Sequence, residues 1–387
     1  MSFEVIFVSS LIKIAVISLP GARSTLPCIG ENRHKSMDEF FDEHVSKLDI
    51  IRAKKAGKQF IKTIYEDKND FNCEYIDPSS EKPMSVRKLK PGDINLVAAI
   101  GDSLTAASGA RASTILGISN AYKGLTFNHF TVPNALKFYN PNLKGFSYGI
   151  ASGDDLNTAL NKAVPGSKAV DLMPQAERLL NDLKTNPEYD FENDWKLVTV
   201  FVGGNNLCQL CTDSNSSPEI FAEDIKKTLD FLHENLPKTF VNLVTIFDAK
   251  FVTELGEGNP LCNVAHVCFC SCLLDNPESS SEASPKYAQL VTDLAKSGRY
   301  NTREDFAVVV QPFLEDIGLP YKKNGEPDLS YFAPDCFHFS QRGHNAAGKS
   351  LWNNMFEREK SRPEYFSSEM PIKCPTKDAP YLVVDNS

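Results

Sequence analysis

From residue 94 onward, short unbroken apolar runs alternate with stretches in which apolar residues recur every three or four positions. Ile94 to Ile100 is the first run and ends at Gly101; Leu197 to Val202 is the second and ends at Gly203. Phe240 to Phe247 and Phe306 to Val310 follow. A strand with one wet face would alternate apolar and polar residues, so unbroken runs predict a parallel sheet covered on both faces. Between the runs, Asp171 to Lys184 places Leu172, Ala176, Leu179, Leu180 and Leu183 on one side of a helix. Pro218 to Leu236 does the same with Phe221, Ile225, Leu229 and Leu232. Tyr287, Leu290, Val291 and Leu294 mark a further helix, and Ser340 is placed to cap a last one running to about Glu357. Upstream, Phe41, Val45, Leu48 and Ile51 give Asp38 to Glu66 a helical period, while Pro78, Pro83 and Pro91 mark residues 74 to 92 as loop. Alternating strands and helices predict an α/β sandwich, with the active site at the carboxyl ends of the strands.

Four regions follow from this pattern: a signal peptide over residues 1–24, a helical and loop extension over 25–90, the α/β domain over 91–360, and a tail over 361–387. The signal peptide rests on the apolar run Val5 to Leu19 and the small-x-small site Ala22-Arg23-Ser24. Glu4 sits where a positive charge is expected and Lys13 interrupts the run, so a buried N-terminal helix is the competing reading, and Lys13 argues against a membrane span. The net charge of −9 argues against a nucleic-acid partner, which requires a basic face. Ten cysteines, an even number, predict disulfides in an exported chain. A zinc site built from His266, Cys268, Cys270 and Cys272 is the alternative, but this Cys-x-Cys-x-Cys alternation differs from the Cys-x2-4-Cys pairs of structural zinc. Asn215-Ser216-Ser217 is a glycosylation sequon, followed by Pro218.

Four segments carry candidate chemistry. Gly101-Asp102-Ser103-Leu104-Thr105 directly follows the first strand, where a serine on a tight strand-to-helix turn presents its hydroxyl and its backbone N–H. Asp335-Cys336-Phe337-His338 places an acid three residues before an imidazole, so that the carboxylate can orient one ring nitrogen while the other meets the serine. Gly203-Gly204-Asn205-Asn206-Leu207 follows the second strand and offers the Asn205 amide to a developing oxyanion. Ala163-Val164-Pro165-Gly166-Ser167 offers the Gly166 N–H as another donor. No Gly-x-Ser-x-Gly elbow surrounds Ser103, so the α/β-hydrolase fold fits poorly.

Together these segments, VAAIGDSLTAASGA (97–110), NKAVPGSKAVDLMPQA (161–176), DWKLVTVFVGGNNLC (194–208) and PDCFHFSQRGHNAAGKSLWNNM (334–355), resemble the GDSL/SGNH hydrolases, and among them the phospholipase B proteins of animals. The resemblance covers most of residues 68 to 360. It implies a three-layer α/β/α sandwich with a mainly parallel, flavodoxin-like sheet. It implies Ser103 as nucleophile, His338 as general base and acid, and Asp335 as its orienter, with the oxyanion held by the Ser103 and Gly166 N–H groups and the Asn205 side chain. The implied activity is a secreted serine esterase that hydrolyses fatty-acyl esters of phospholipids and lysophospholipids at a lipid–water interface, with no metal or organic cofactor. Position 206 is Asn where the family usually has Asp, which implies a tuned or rearranged loop. Some relatives carry tandem repeats and a membrane anchor; one catalytic unit without an anchor implies a soluble product.

Two other functions remain compatible with the sequence: an esterase for small or carbohydrate acyl esters, and a lipid-binding protein that has kept the fold without catalysis. His129, His233, His266 and His344 read as structural or exposed, Asp154 and Asp155 as loop or cap residues, and Trp195 and Trp352 as core. Cys336 reads as a disulfide partner or buried thiol rather than a nucleophile.

Overall fold

The computed structural model describes residues 71–112, 130–148, 158–248, 250–256, 262, 266, 270–315, 318, 320–362 and 368–385. The expected signal peptide (1–24) and the helix over 38–66 lie outside the described residues, as do His129, Asp154 and Asp155. All four expected strands form: β1 (Ile94–Gly101), β2 (Trp195–Phe201), β3 (Thr239–Val244) and β4 (Phe306–Gln311), paired in parallel in that order. Gly101, Phe201, Val244 and Gln311 align across the register, so the four carboxyl ends open on one level.

The helices are α1 (Val132–Tyr139), α2 (Leu172–Thr185), α3 (Gly204–Cys208), α4 (Pro218–Asn235), α5 (Lys250–Gly256), α6 (Ser271–Asp275), α7 (Pro277–Lys296) and α8 (Gln341–Asn354). Local chemistry sets their starts. The Ser217 hydroxyl accepts from the Ile220 N–H with Pro218 in the first turn of α4, and the Ser340 hydroxyl accepts from the Arg342 and Gly343 N–H groups at α8.

Side chains alternate between the sheet's two faces and bury both. Leu96, Ala98, Ile100, Val198, Val200, Val241 and Leu243 face one core with α2, α4 and α7; Val97, Leu197, Phe240, Ala307 and Val309 face another with α1 and α8. Trp195 and Trp352 are fully buried, as their large apolar area predicts. This is the expected three-layer sandwich. On the outer edge of β1 the chain adds a broken fifth strand. Val97 N–H donates to Lys144 C=O, Ala99 N–H to Leu160 C=O, and Lys162 N–H to Ala99 C=O. That segment comes second in sequence and lies first in space, which gives the flavodoxin-like order 2-1-3-4-5. The strand order therefore reverses at β1, and the crevice at its carboxyl end is where such sheets bind ligands.

Residues before β1 and after α8 also join the second core. A disulfide links Cys73 to Cys374, Leu382 is buried, and its N–H donates to Leu89 C=O.

Candidate active site

Ser103 follows β1 at the reversal point. Gly101, the last residue of β1, permits a close approach: a Cβ there would lie 2.0 Å from the Phe201 carbonyl oxygen and 2.4 Å from Thr105 Oγ1. The chain then turns sharply. Asp102 N–H donates to Phe201 C=O, and Thr105 Oγ1 donates to the same carbonyl at 2.7 Å, so the segment after β1 is pinned to the end of β2. The expected strand-to-helix passage is here a succession of turns over 102–111, with Ala107 in the left-handed region. The Asp102 carboxylate accepts from the Leu104 N–H and is fully buried. Burial drives its pKa up to about 6, against the lowering pull of the Leu104 N–H and of His338.

The acid and imidazole sit in a hairpin-like loop before α8, closed by Ala333 N–H to His338 C=O at 2.7 Å and Ser340 N–H to Tyr331 C=O at 3.0 Å. Asp335 is completely buried and His338 nearly so. Asp335 Oδ1 accepts from the Phe337 and His338 N–H groups at 3.1 Å each, and Oδ2 lies 2.5 Å from His338 Nδ1. The acceptor-only carboxylate assigns the proton to Nδ1. Burial alone would push Asp335 up, but the positive charge and hydrogen bonds of His338 win and hold it below the ordinary aspartate value. Burial likewise opposes the charged form of His338, yet Asp335, aided by Asp102, raises its pKa above 6.5.

The remaining candidate residues lie in two further loops. Val164 to Ser167 is a turn closed by the Ser167 N–H on Val164 C=O, with Pro165 second and Gly166 third at φ +82°, the type II arrangement that calls for glycine. The Asn205 side-chain amide donates to Ser167 C=O at 2.9 Å and so ties the start of α3 to this turn. A Cβ at Gly204 would stand 3.7 Å from the Phe337 ring and 3.9 Å from Asp102 Oδ2. The segments that carry Ser103, Gly166 and Asn205 are therefore bonded to one another, and Phe337, beside His338, stands against the start of α3. Asn206, the unusual residue, accepts from the buried Ala169 N–H at 3.1 Å through Oδ1.

Two groups at this site escape the sequence. Gln175 lies on the core stripe of α2, bonded to Gly101 and Ser167; an amide among Leu172, Ala176 and Leu179 was a visible signal. His266 Nε2 lies 3.0 Å from Cys336 C=O, and no local pattern announces that contact. The zinc alternative is overturned: Cys270 pairs with Cys208 and Cys272 with Cys211, so two of its four ligands are spent in disulfides. Cys336 pairs with Cys262, as its reading as a disulfide partner anticipates. His233 bonds Thr302 and packs against Phe306; burial pushes His344 down to about 4.

A largely apolar cavity of about 560 Å³ is lined by Leu104 and Thr105, the two residues after Ser103, by Phe339, the residue after His338, and by Leu197, Phe313 and Leu351. Among the described residues no helix is long and apolar enough to cross a membrane, and no cluster of His, Cys, Asp and Glu could hold a metal ion.

The model of the GDSL-like lipase/acylhydrolase family matches residues 97–351. The chain is 40% identical over 335 residues to the membrane-associated phospholipase B1 of Homo sapiens, covering 81% of this chain and 23% of that protein. It is 38% identical over 348 residues to the Mus musculus protein of the same name, covering 84% and 24%. The chain thus spans about a quarter of the length of these relatives. Among solved structures, a catalytic mutant of an acetylxylan esterase from Geobacillus stearothermophilus aligns over 65% of this chain and 89% of its own, at 13% identity and a TM-score of 0.34.

Proposed function

Because the chain belongs to the GDSL-like lipase/acylhydrolase family, we propose that it hydrolyses fatty-acyl esters of phospholipids and lysophospholipids by attack of Ser103. The observation that carries this reading is the fully buried Asp335 set 2.5 Å from His338 Nδ1. Asp335 holds the imidazole in the tautomer whose Nε2 takes a proton. His338 Nε2 accepts the Ser103 hydroxyl proton as Oγ bonds to the ester carbonyl carbon. The carbonyl π electrons move to oxygen, where the Ser103 N–H, the Gly166 N–H and the Asn205 amide stabilise the negative charge. Collapse expels the alcohol, which takes the proton from His338 and leaves an acyl-serine. Water attacks that ester, again giving its proton to His338, and the fatty acid departs as Ser103 Oγ is reprotonated.

Two observations support a long acyl chain over a small acyl group: the named activity of the phospholipase B1 relatives, and the apolar cavity beside Leu104 and Phe339, whose volume falls within the range of about 300–1,000 Å³ common for small-molecule sites. The disulfides support action outside the reducing cytosol, as expected of a secreted protein.

The test is fatty-acid release from phosphatidylcholine and lysophosphatidylcholine by the full chain and by Ser103→Ala. Release that vanishes in the variant is expected. Serine-dependent cleavage of short acyl esters alone would replace the lipid substrate with a small ester; no cleavage of either would favour a lipid-binding protein.

A further inference from the structure

The three proposed oxyanion donors come from three separate loops, and an oxyanion hole works only if they are fixed relative to one another before the charge appears. Backbone bonds partly join the loop after β1 to the 164–167 turn: Val164 N–H donates to Gly101 C=O at 3.1 Å. One side chain completes the connection. Gln175, on α2 and 1% exposed, accepts from the Gly101 N–H at 2.8 Å through Oε1. Through Nε2 it donates to Gly101 C=O at 2.9 Å and to Ser167 Oγ at 3.0 Å. Ser167 C=O in turn accepts from the Asn205 amide at 2.9 Å. The path Gly101–Gln175–Ser167–Asn205 thus runs unbroken from two residues before Ser103, past Gly166, to the third donor.

We propose that Gln175 is a positioning residue that sets the oxyanion hole by locking the Ser103 loop and the Gly166 turn to one rigid helix. The inference rests on the assignment of Ser103, Gly166 and Asn205 above. Both amide hydrogens and the amide oxygen are used, so only a glutamine fits electronically: glutamate can accept from Gly101 N–H but cannot donate, and leucine can do neither. Helix α2 does not need the amide to pack, because Leu172, Ala176, Leu179 and Leu183 already seat it in the core. Gln175 has no bond to the Asp335–His338 loop, so its loss spares the pair that sets the pH midpoint and strikes the placement of the oxyanion donors.

The experiment compares the full chain with Gln175→Glu, Gln175→Leu, Ser167→Ala and Ser103→Ala on a soluble short-chain aryl ester, with thermal unfolding as the check on folding. A misplaced donor costs about as much as a lost one when the shift approaches 1 Å, so folded Gln175→Glu is expected to lose about 10–100-fold in kcat. KM should stay within about threefold, and the pH midpoint of kcat/KM should not move, because His338 is untouched. Ser167→Ala, which breaks a single bond of the path, is expected to lose about 3–10-fold in kcat and to add little when combined with Gln175→Glu. Wild-type kcat in folded Gln175→Glu, a loss confined to KM, or a displaced pH midpoint would each overturn the role. If both Gln175 variants fail to fold, Ser167→Ala decides: unchanged kcat overturns the inference. Full activity in Ser103→Ala would instead remove the serine mechanism itself, and this inference with it, whatever Gln175 does.

Discussion

A disulfide joins Cys262 to Cys336, the residue that separates Asp335 from Phe337 and His338. Cys336 has φ +57°, a left-handed conformation uncommon for a side chain with a Cβ, and its carbonyl faces His266 Nε2 at 3.0 Å. The loop that carries the acid and the imidazole is therefore held from behind by a covalent bond and a buried histidine. It does not depend on Asp335 and His338 alone for its shape.

The double variant Cys262→Ala/Cys336→Ala should separate activity from stability. Loss of one native crosslink typically costs about 2–5 kcal/mol, a decrease in global stability that urea unfolding will report. We expect ester cleavage to fall further than the folded fraction does, because the bond lies within the 335–338 turn. Activity that follows only the folded fraction would show that the turn keeps its shape without the bond.

The pH dependence follows from the charge pair. Asp335 and Asp102 raise the pKa of His338 above 6.5, and the proposed attack requires the imidazole neutral. The kcat/KM profile should therefore rise with pH through a midpoint above 6.5. Asp335→Asn should lower that midpoint and reduce kcat by about 10³–10⁴-fold. Asp102→Asn keeps an acceptor for the Leu104 N–H but removes a charge, so it should also lower the midpoint while preserving most activity. For stability the signs differ between the partners. Asp335, depressed, stabilises the fold above its unfolded value near 3.8 and loses that contribution as pH falls through its folded pKa. His338, raised, stabilises it below 6.5 and loses that contribution as pH rises through its folded pKa. The pair therefore contributes fully between about pH 4 and 6.5, which thermal unfolding across pH will test.

Asn206 departs from the expected aspartate without losing its bond. Its Oδ1 accepts from the buried Ala169 N–H, and an aspartate oxygen would do the same. Asn206→Asp should thus leave thermal stability and kcat within about twofold of the parent. Asn206→Leu strands the Ala169 donor and should cost about 1–3 kcal/mol. A large effect of the aspartate variant would mean that the asparagine NH₂ group also matters.

The sequence by itself determined the four strands, because a parallel sheet buried on both faces leaves unbroken apolar runs such as Ile94 to Ile100. It also determined α2 and α4, whose apolar spacing is local, and α8, whose Ser340 cap is local, and its short motifs single out Ser103, Gly166, Asn205, Asp335 and His338 as candidates. Spacing of this kind reads contacts within a few residues of each other. Only the tertiary structure decided which cysteines pair, that Gln175 reaches back to Gly101 across 74 positions, and that His266 meets Cys336 across 70. Those contacts depend on how separately formed elements pack, and burial then favours the arrangements in which polar groups left inside meet a partner that the chain has brought near.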